Sequence, residues 1–385
     1  MNGCDLQKRN FLKNIAVAGA AGGIVAMSQL SAAAEGSDCP SKNSVFNVRD
    51  FGAKGDGKTS DTAAIQSALD AAGKIQGTVY FPAGKYVCAK LKLPPNTTML
   101  AEPQWGYRGM AGAVLQLESE DADCVVDITG SFGGRVCGLY IRGLGKKAKI
   151  SHGIYLNNEK YSPKEDSCVI EDCRVENFSG DGVYLKRVWL FIVRRNIFMG
   201  NGGAGIRVQG WDGFVSDNQL SANSSGGFVG DTTVATVMFT ANRVEWNGSF
   251  GLDIPQGDAW NITGNCFDRN WGAGLRLCNV ADSTVTGNVF RRCGKDASKL
   301  GDIYSCQVYL ESCRGIAVTA NSGAAGKDDR GKGVITPKYG FVTKNLTYCA
   351  VTSNTMYMGF TDKFFNELSP NTECVVKDNL GTIRK

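Results

Sequence analysis

From about residue 150 the polar and apolar positions fall into a repeat. Asn196, Asn218, Asn242, Asn265 and Asn288 follow one another at spacings of 22, 24, 23 and 23 residues, and Asn321 and Asn354 continue at 33. A second asparagine stands five residues after the first at Asn201, Asn223, Asn247 and Asn270. Short Gly-apolar-x-apolar runs then follow, beginning at Gly205, Gly251 and Gly274. A fixed period in the twenties means a solenoid. The runs are short, β-branched and alternating, with no helical period, so each coil holds about three strands joined by turns. Asparagine tolerates left-handed backbone geometry and bonds its own backbone, so the reading places these residues in the turns, where identical positions stack along the axis as ladders. A leucine-rich horseshoe lacks its consensus here, and a propeller needs a longer period. The prediction is an all-β, right-handed, single-stranded parallel β-helix.

Alternation along the Gly-led strands sends Ile206, Phe228, Leu252, Leu275 and Val308 inward. It sends two columns outward on one long sheet: Tyr155, Tyr184, Arg207, Val229, Asp253, Arg276, Tyr309, and beside it Asn157, Lys186, Gln209, Asp231, Pro255, Cys278, Glu311. Charged and aromatic residues cluster on this face more than on a merely solvated sheet. Asp231 and Asp253 fall on neighbouring coils in adjacent columns. With ~4.8 Å between strands and ~6.7 Å between alternate residues, their Cα atoms should lie about 8 Å apart. Inverting glycosidases hold two carboxyls roughly 6.5–9.5 Å apart, one as acid and one as base on a water. Asp231 and Asp253 are therefore the candidate catalytic pair, with Arg207 and Arg276 flanking them to hold a substrate carboxylate. The competing structural reading is a lateral ion-pair ladder. Tyr155, Tyr184, Lys186, Gln209, Tyr309 and Glu311 are candidate substrate contacts, as are Trp211 and Trp271, whose flat faces suit sugar rings. A β-eliminating lyase would use Lys186, the arginines, Tyr184 or Tyr309 as base or charge clamp, and could hold Ca²⁺ on Asp231, Asp253 and Glu311. Asp181 is a secondary candidate. The only histidine, His152, is read as structural.

The front of the chain leads with Phe46-Asn47-Val48-Arg49-Asp50-Phe51-Gly52-Ala53-Lys54-Gly55-Asp56-Gly57, then Ser60-Asp61-Thr62, then Gly77-Thr78-Val79-Tyr80-Phe81-Pro82-Ala83-Gly84. This resembles the N-terminal cap of the pectate-lyase-like superfamily of rhamnogalacturonases, polygalacturonases, epimerase-like proteins and phage tailspikes. The resemblance implies a β-helix and action on a polysaccharide, by hydrolysis or elimination, or glycan binding without cleavage. The Gly-His-Gly turn of polygalacturonases and the Asp-Pro-His-Asp signature of alginate epimerases are both missing. Physically, residues 62–72 should form a helix that plugs the solenoid's open end, with Ser60 or Asp61 as its N-cap. Asp56 and Asp61 are accordingly structural.

Composition narrows the setting. Glycine is abundant at 49 residues and proline scarce at 9, which suits many tight turns. A net charge of +5 without a long basic run speaks against nucleic acid as partner. Lys8 and Arg9 precede an Ala/Gly-rich apolar stretch and an Ala32-Ala33-Ala34 cleavage site. Residues 1–34 thus read as an export signal that resembles a twin-arginine leader, with 35–385 as one β-helix domain, periplasmic or secreted. Within it, about 44–100 form the cap and first coils and 101–385 the remaining coils. Of 14 cysteines, most fall inside apolar strand patterns and read as buried thiols rather than disulfides. The polar insertions 158–167, 292–305 and 323–338 should wall the outward face.

Overall fold

The structure, a computed structural model, describes residues 44–385 apart from 104, 105, 107 and 108; the expected export segment lies outside the described residues. Every pairing among the coils is parallel, and partners are one coil apart in sequence. The chain is the right-handed β-helix that the repeat predicts. A 13-stranded sheet forms one face, and strands such as Val183–Arg194, Ala204–Ser216 and Gly226–Thr240 bend across the other two, joining them into one 23-stranded sheet. The inward column is fully buried: Ile206, Phe228, Leu252, Leu275 and Val308 are each 0 % exposed. Phe239, Phe267 and Phe290 stack at ring distances of 6.4 and 5.0 Å along the same core.

The asparagines stand at the turns and stack from coil to coil, but they are not the left-handed residues. The left-handed residue is the one before each ladder asparagine, such as Asp217 (φ 57°) and Ala241 (φ 55°). The asparagines themselves point inward and are buried. Asn242 Oδ1 accepts from the Asn218 backbone and side-chain amides at 3.0 Å each, while Asn242 Nδ2 donates to Val215 O at 2.9 Å and Asn265 Oδ1 at 3.1 Å. Each side chain thus satisfies backbone groups that the corner would leave unpaired. The second series, from Asn201 to Asn270, repeats the device at the next corner and ends on Cys293 Sγ. The glycine that opens each floor strand follows from this packing. A Cβ on Gly251 would sit 2.4 Å from Gly274 O and 2.8 Å from Asn270 Nδ2.

Helix α1 (Thr62–Gly73) forms where expected and buries Ile65, Ala68, Leu69 and Ala72 against the common core. Its N-cap is Asp61, but the side chain makes no capping bond. The Asp61 carboxylate instead accepts the backbone amides of Lys54 (2.5 Å) and Gly55 (3.1 Å), fixing the preceding glycine-rich turn. Asp56 accepts from Lys58 N, Thr59 N and Thr59 Oγ1, all at 2.8 Å, and these bonds hold its pKa down at about 2. The twelve described cysteines are free, and most are buried.

Candidate active site

The outward face of the first sheet has the register that alternation gave. Tyr155, Tyr184, Arg207, Val229, Asp253, Arg276 and Tyr309 are successive Cα partners across seven coils. The adjacent column is less regular. Asn157, Lys186 and Gln209 pair, but between Val208 and Gly210 the register shifts to accommodate extra residues around Asp231. That bulge takes Asp231 out of the ladder, and Thr232 beside it is left-handed (φ 67°).

Two clusters divide this face. The first lies toward the N-terminal coils. His152 sits at the start of its strand with its ring 5.5 Å from Tyr155 and 5.0 Å from Tyr184, and those two rings stack at 5.3 Å. The Asp181 backbone amide donates to His152 Nδ1 at 3.0 Å. A nitrogen that accepts an amide proton carries none, so the imidazole is neutral with its proton on Nε2. Burial drives the His152 pKa down, the Asp181 carboxylate opposes this, and Arg207 adds to the lowering. Asp181 is itself buried, with its Oδ1 accepting from Ala204 N at 2.6 Å. Its carboxylate meets Arg207 Nε at 3.2 and 3.1 Å. Both contacts use Nε, so the terminal Nη groups of Arg207 have no protein partner among the described residues. Lys186 is likewise without an ion-pair partner there. Burial and then the nearby Asp231 charge raise the Tyr184 pKa. Lys90 closes this end, bonded to Asp123 at 3.0 Å, with Asp127 at 3.7 Å. Asn157 Nδ2 donates to the Tyr155 hydroxyl at 3.0 Å.

The second cluster is centred on Arg276. Its Nη1 bonds Asp253 Oδ1 at 2.5 Å, and its guanidinium lies 5.1 Å over Phe250 and 5.9 Å from the Tyr304 ring. Burial raises the Asp253 pKa, with Arg276 and then Arg207 pulling it back. Tyr309 is only 1 % exposed, so it does not stand on the open floor as a substrate contact. The insertion 292–305 folds over it, packing Leu300, Ile303 and Tyr304 onto Phe250, Cys278, Tyr309 and Val342. Glu311 is occupied by Tyr309 Oη (2.9 Å) and Lys344 Nζ (2.7 Å). Trp211 is stacked on Tyr161 of the 158–167 insertion at 4.0 Å, and Trp271 lies beneath Lys299 Nζ at 4.1 Å. Among the described residues no group of three or more His, Cys, Asp and Glu has metal-site geometry.

The sequence reading thus identified Tyr155, Tyr184, Lys186, Arg207, Asp231 and Asp253 on the open part of the face. It read His152 as structural and Asp181 as secondary; the structure brings the two together at the entries of neighbouring floor strands, 29 residues apart in sequence, with His152 Nδ1 also 3.5 Å from Asp181 Oδ2.

Residues 45–106 match the family described as rhamnogalacturonase A/epimerase, pectate lyase-like, and residues 120–237 and 152–330 match the right-handed beta helix region. Mannuronan C5-epimerase AlgE2 of Azotobacter vinelandii is 29% identical over 227 residues, which are 56% of this chain and 23% of that protein. Alginate lyase 7 of the same organism is 69% identical over 42 residues, 11% of this chain and 5% of that one. The chain therefore matches less than a quarter of the length of these relatives. Among solved structures, DFA-IIIase of Arthrobacter chlorophenolicus A6 has a TM-score of 0.61 at 13% identity, covering 89% of this chain and 98% of that one. Tailspike protein 2 of the Escherichia coli O157:H7 bacteriophage CAB120 gives 0.64 at 14% identity, covering 80% of this chain and 42% of that one.

Proposed function

The chain belongs to the right-handed β-helix, pectate-lyase-like family, and from that premise we propose that it is an enzyme acting outside the cytoplasm on a uronate-containing polysaccharide. Its reaction, in this reading, begins by removing the proton from the ring carbon that bears the carboxylate. The observation that carries it is the cluster in which neutral His152, Tyr155 and Tyr184 lie beside Arg207. Such a proton is acidic enough to leave only when the neighbouring carboxylate is neutralised. The terminal groups of Arg207 and the ammonium of Lys186 supply that charge. Asp231 is the base, a role a carboxylate can fill in a site of this kind. Tyr184, with its raised pKa, stays protonated and serves as the acid. In elimination, the electron pair of the broken C–H bond forms the ring double bond. The bond to the glycosidic oxygen then breaks, and that oxygen takes the Tyr184 proton. His152 Nε2–H holds the substrate by donating a hydrogen bond. Two of the relatives, a mannuronan C5-epimerase and an alginate lyase, favour this chemistry over others.

Hydrolysis by Asp231 and Asp253 is the second reading, favoured by the raised pKa of Asp253, which suits a general acid. Against it stands the 2.5 Å bond to Arg276, which favours the ionised carboxylate. Ca²⁺ would enter only as an aid to carboxylate neutralisation. The discriminating experiment is mass spectrometry of products formed from uronate polymers in heavy water. Unsaturated products, or sugars that take up deuterium on carbon, support the first reading. Products that gain water and no carbon-bound deuterium overturn it in favour of hydrolysis. No change in any polymer of the panel, with binding retained, overturns both in favour of a glycan-binding protein.

A further inference from the structure

The floor is open over one stretch and roofed over the next. Tyr155, Tyr184, Arg207, Val229 and Asp253 are all partly exposed. The next members of the same column are Arg276, Tyr309 and Val342. Tyr309 and Val342 are 1 % and 0 % exposed, while the Arg276 side chain, at 22 % beside 17 % for Asp253, stands at the boundary. What covers Tyr309 and Val342 is the 292–305 insertion. It is tied down on both sides: Gly294, Lys295 and Asp296 amides donate to Gly272, Asn270 and Trp271 carbonyls at 2.7–3.1 Å, and Lys338 bonds Asp302 at 2.5 Å. The apolar roof of Leu300, Ile303 and Tyr304 has a matching apolar floor of Phe250, Cys278, Tyr309 and Val342. Tyr304 meets Phe250 edge-on at 5.1 Å and Tyr309 at 4.9 Å. This is packed core, in which opening would expose several large side chains at once.

The open run from Tyr155 to Asp253 covers four strand spacings of ~4.8 Å, or roughly 19 Å, the length of a short oligosaccharide. A polymer lying along the floor meets the Phe250–Arg276–Tyr304 wall and cannot continue over Tyr309. We propose that the groove is blind at this wall and that the protein engages the end of a polysaccharide chain rather than its interior. The terminal sugar stops against Tyr304 and Arg276, and the rest of the polymer leaves over Tyr155 and Lys90. This rests on the reading that the floor holds a polysaccharide, and it adds where along the polymer the protein acts.

The test is binding capacity measured by sedimentation with polymannuronate and polygalacturonate fractions, one short and one tenfold longer. An end-binding protein saturates one site per chain, so the capacity per gram of polymer falls in inverse proportion to chain length. Equal capacity per gram for both fractions means interior binding and overturns the inference, while the polysaccharide reading stands. No binding to any fraction overturns both. A variant with residues 296–303 replaced by a short Gly-Ser linker is expected to bind with the same capacity per gram at either length. If that variant does not fold, the wild-type measurement decides alone.

Discussion

The Asp181 backbone amide donates to His152 Nδ1 at 3.0 Å, and that one bond leaves the proton of the neutral ring on Nε2. In the proposed reaction His152 is therefore a hydrogen-bond donor and not a base. Burial lowers its folded pKa below the ordinary 6.5. A depressed histidine makes its full contribution to stability above 6.5 and loses it as the pH falls, because the unfolded chain takes up the proton first. ¹⁵N NMR should show the Nε2–H tautomer at neutral pH and titration below the free value. His152→Ala, which removes the donor, should fold and raise KM by about 10–100-fold, the loss of one hydrogen bond to a charged group. A titration at or above the free value would remove the assigned role.

Asp231 and Asp253 should separate on mutation. Asp231→Asn lies in an exposed bulge, so it should leave stability unchanged and lower activity by at least about 100-fold. Asp253→Asn leaves the Arg276 charge without its carboxylate among Phe250 and Tyr304, and loss of a buried partner costs about 3–5 kcal/mol. Thermal melts paired with initial rates make the comparison. Equal activity loss in both, with both folds equally stable, would restore them as an acid/base pair.

Arg207→Lys keeps the charge but cannot hold Asp181 and a substrate carboxylate together through separate nitrogens of one planar group. The expected result is a raised KM for uronate oligosaccharides at least about tenfold above wild type, with far-UV circular dichroism unchanged. An unaltered KM would exclude Arg207 from carboxylate binding.

Away from the groove, Glu171 is 1 % exposed and bonds Arg194 at 2.7 Å and Arg195 at 2.9 Å, with Arg135 on its other oxygen. Burial pushes its pKa up, but the Arg194 and Arg135 hydrogen bonds and charges together outweigh this and the net shift is downward. A depressed carboxylate contributes stability above its unfolded value of 4.5 and loses it as the pH falls through the folded value. Glu171→Gln should cost about 1–3 kcal/mol at neutral pH, the half-exposed arginines tempering the loss. The difference from wild type should shrink in acid. Urea titrations at several pH values check both points.

Asn242→Ala removes the acceptor of two Asn218 donors and the donor to Val215 O and Asn265 Oδ1. With more than one buried group left unsatisfied, a loss of roughly 2–5 kcal/mol is expected in denaturant melts. A loss below about 1 kcal/mol would mean that water replaces the ladder.

The solenoid, the inward column from Ile206 to Val308 and the outward one from Tyr155 to Tyr309 were all legible in the order of residues. The physical reason is that a parallel coil repeats its own register, so a period read along the chain is also a stacking in space. Helix α1 was legible from its spacing for the same kind of local reason. The ladder asparagines show where local reasoning stops: their place at the turns was legible, but the left-handed residue is the one before each, and the asparagine turns inward to satisfy unpaired carbonyls. Which floor residues stay exposed depends on how the loops fold back over them. The 292–305 insertion has no repeat to declare its path, and its packing on Phe250 and Tyr309 hides the Tyr309–Val342 end of a column that alternation presents as uniform. His152 and Asp181 meet because one coil brings them together, a contact that depends on how two strand entries bend.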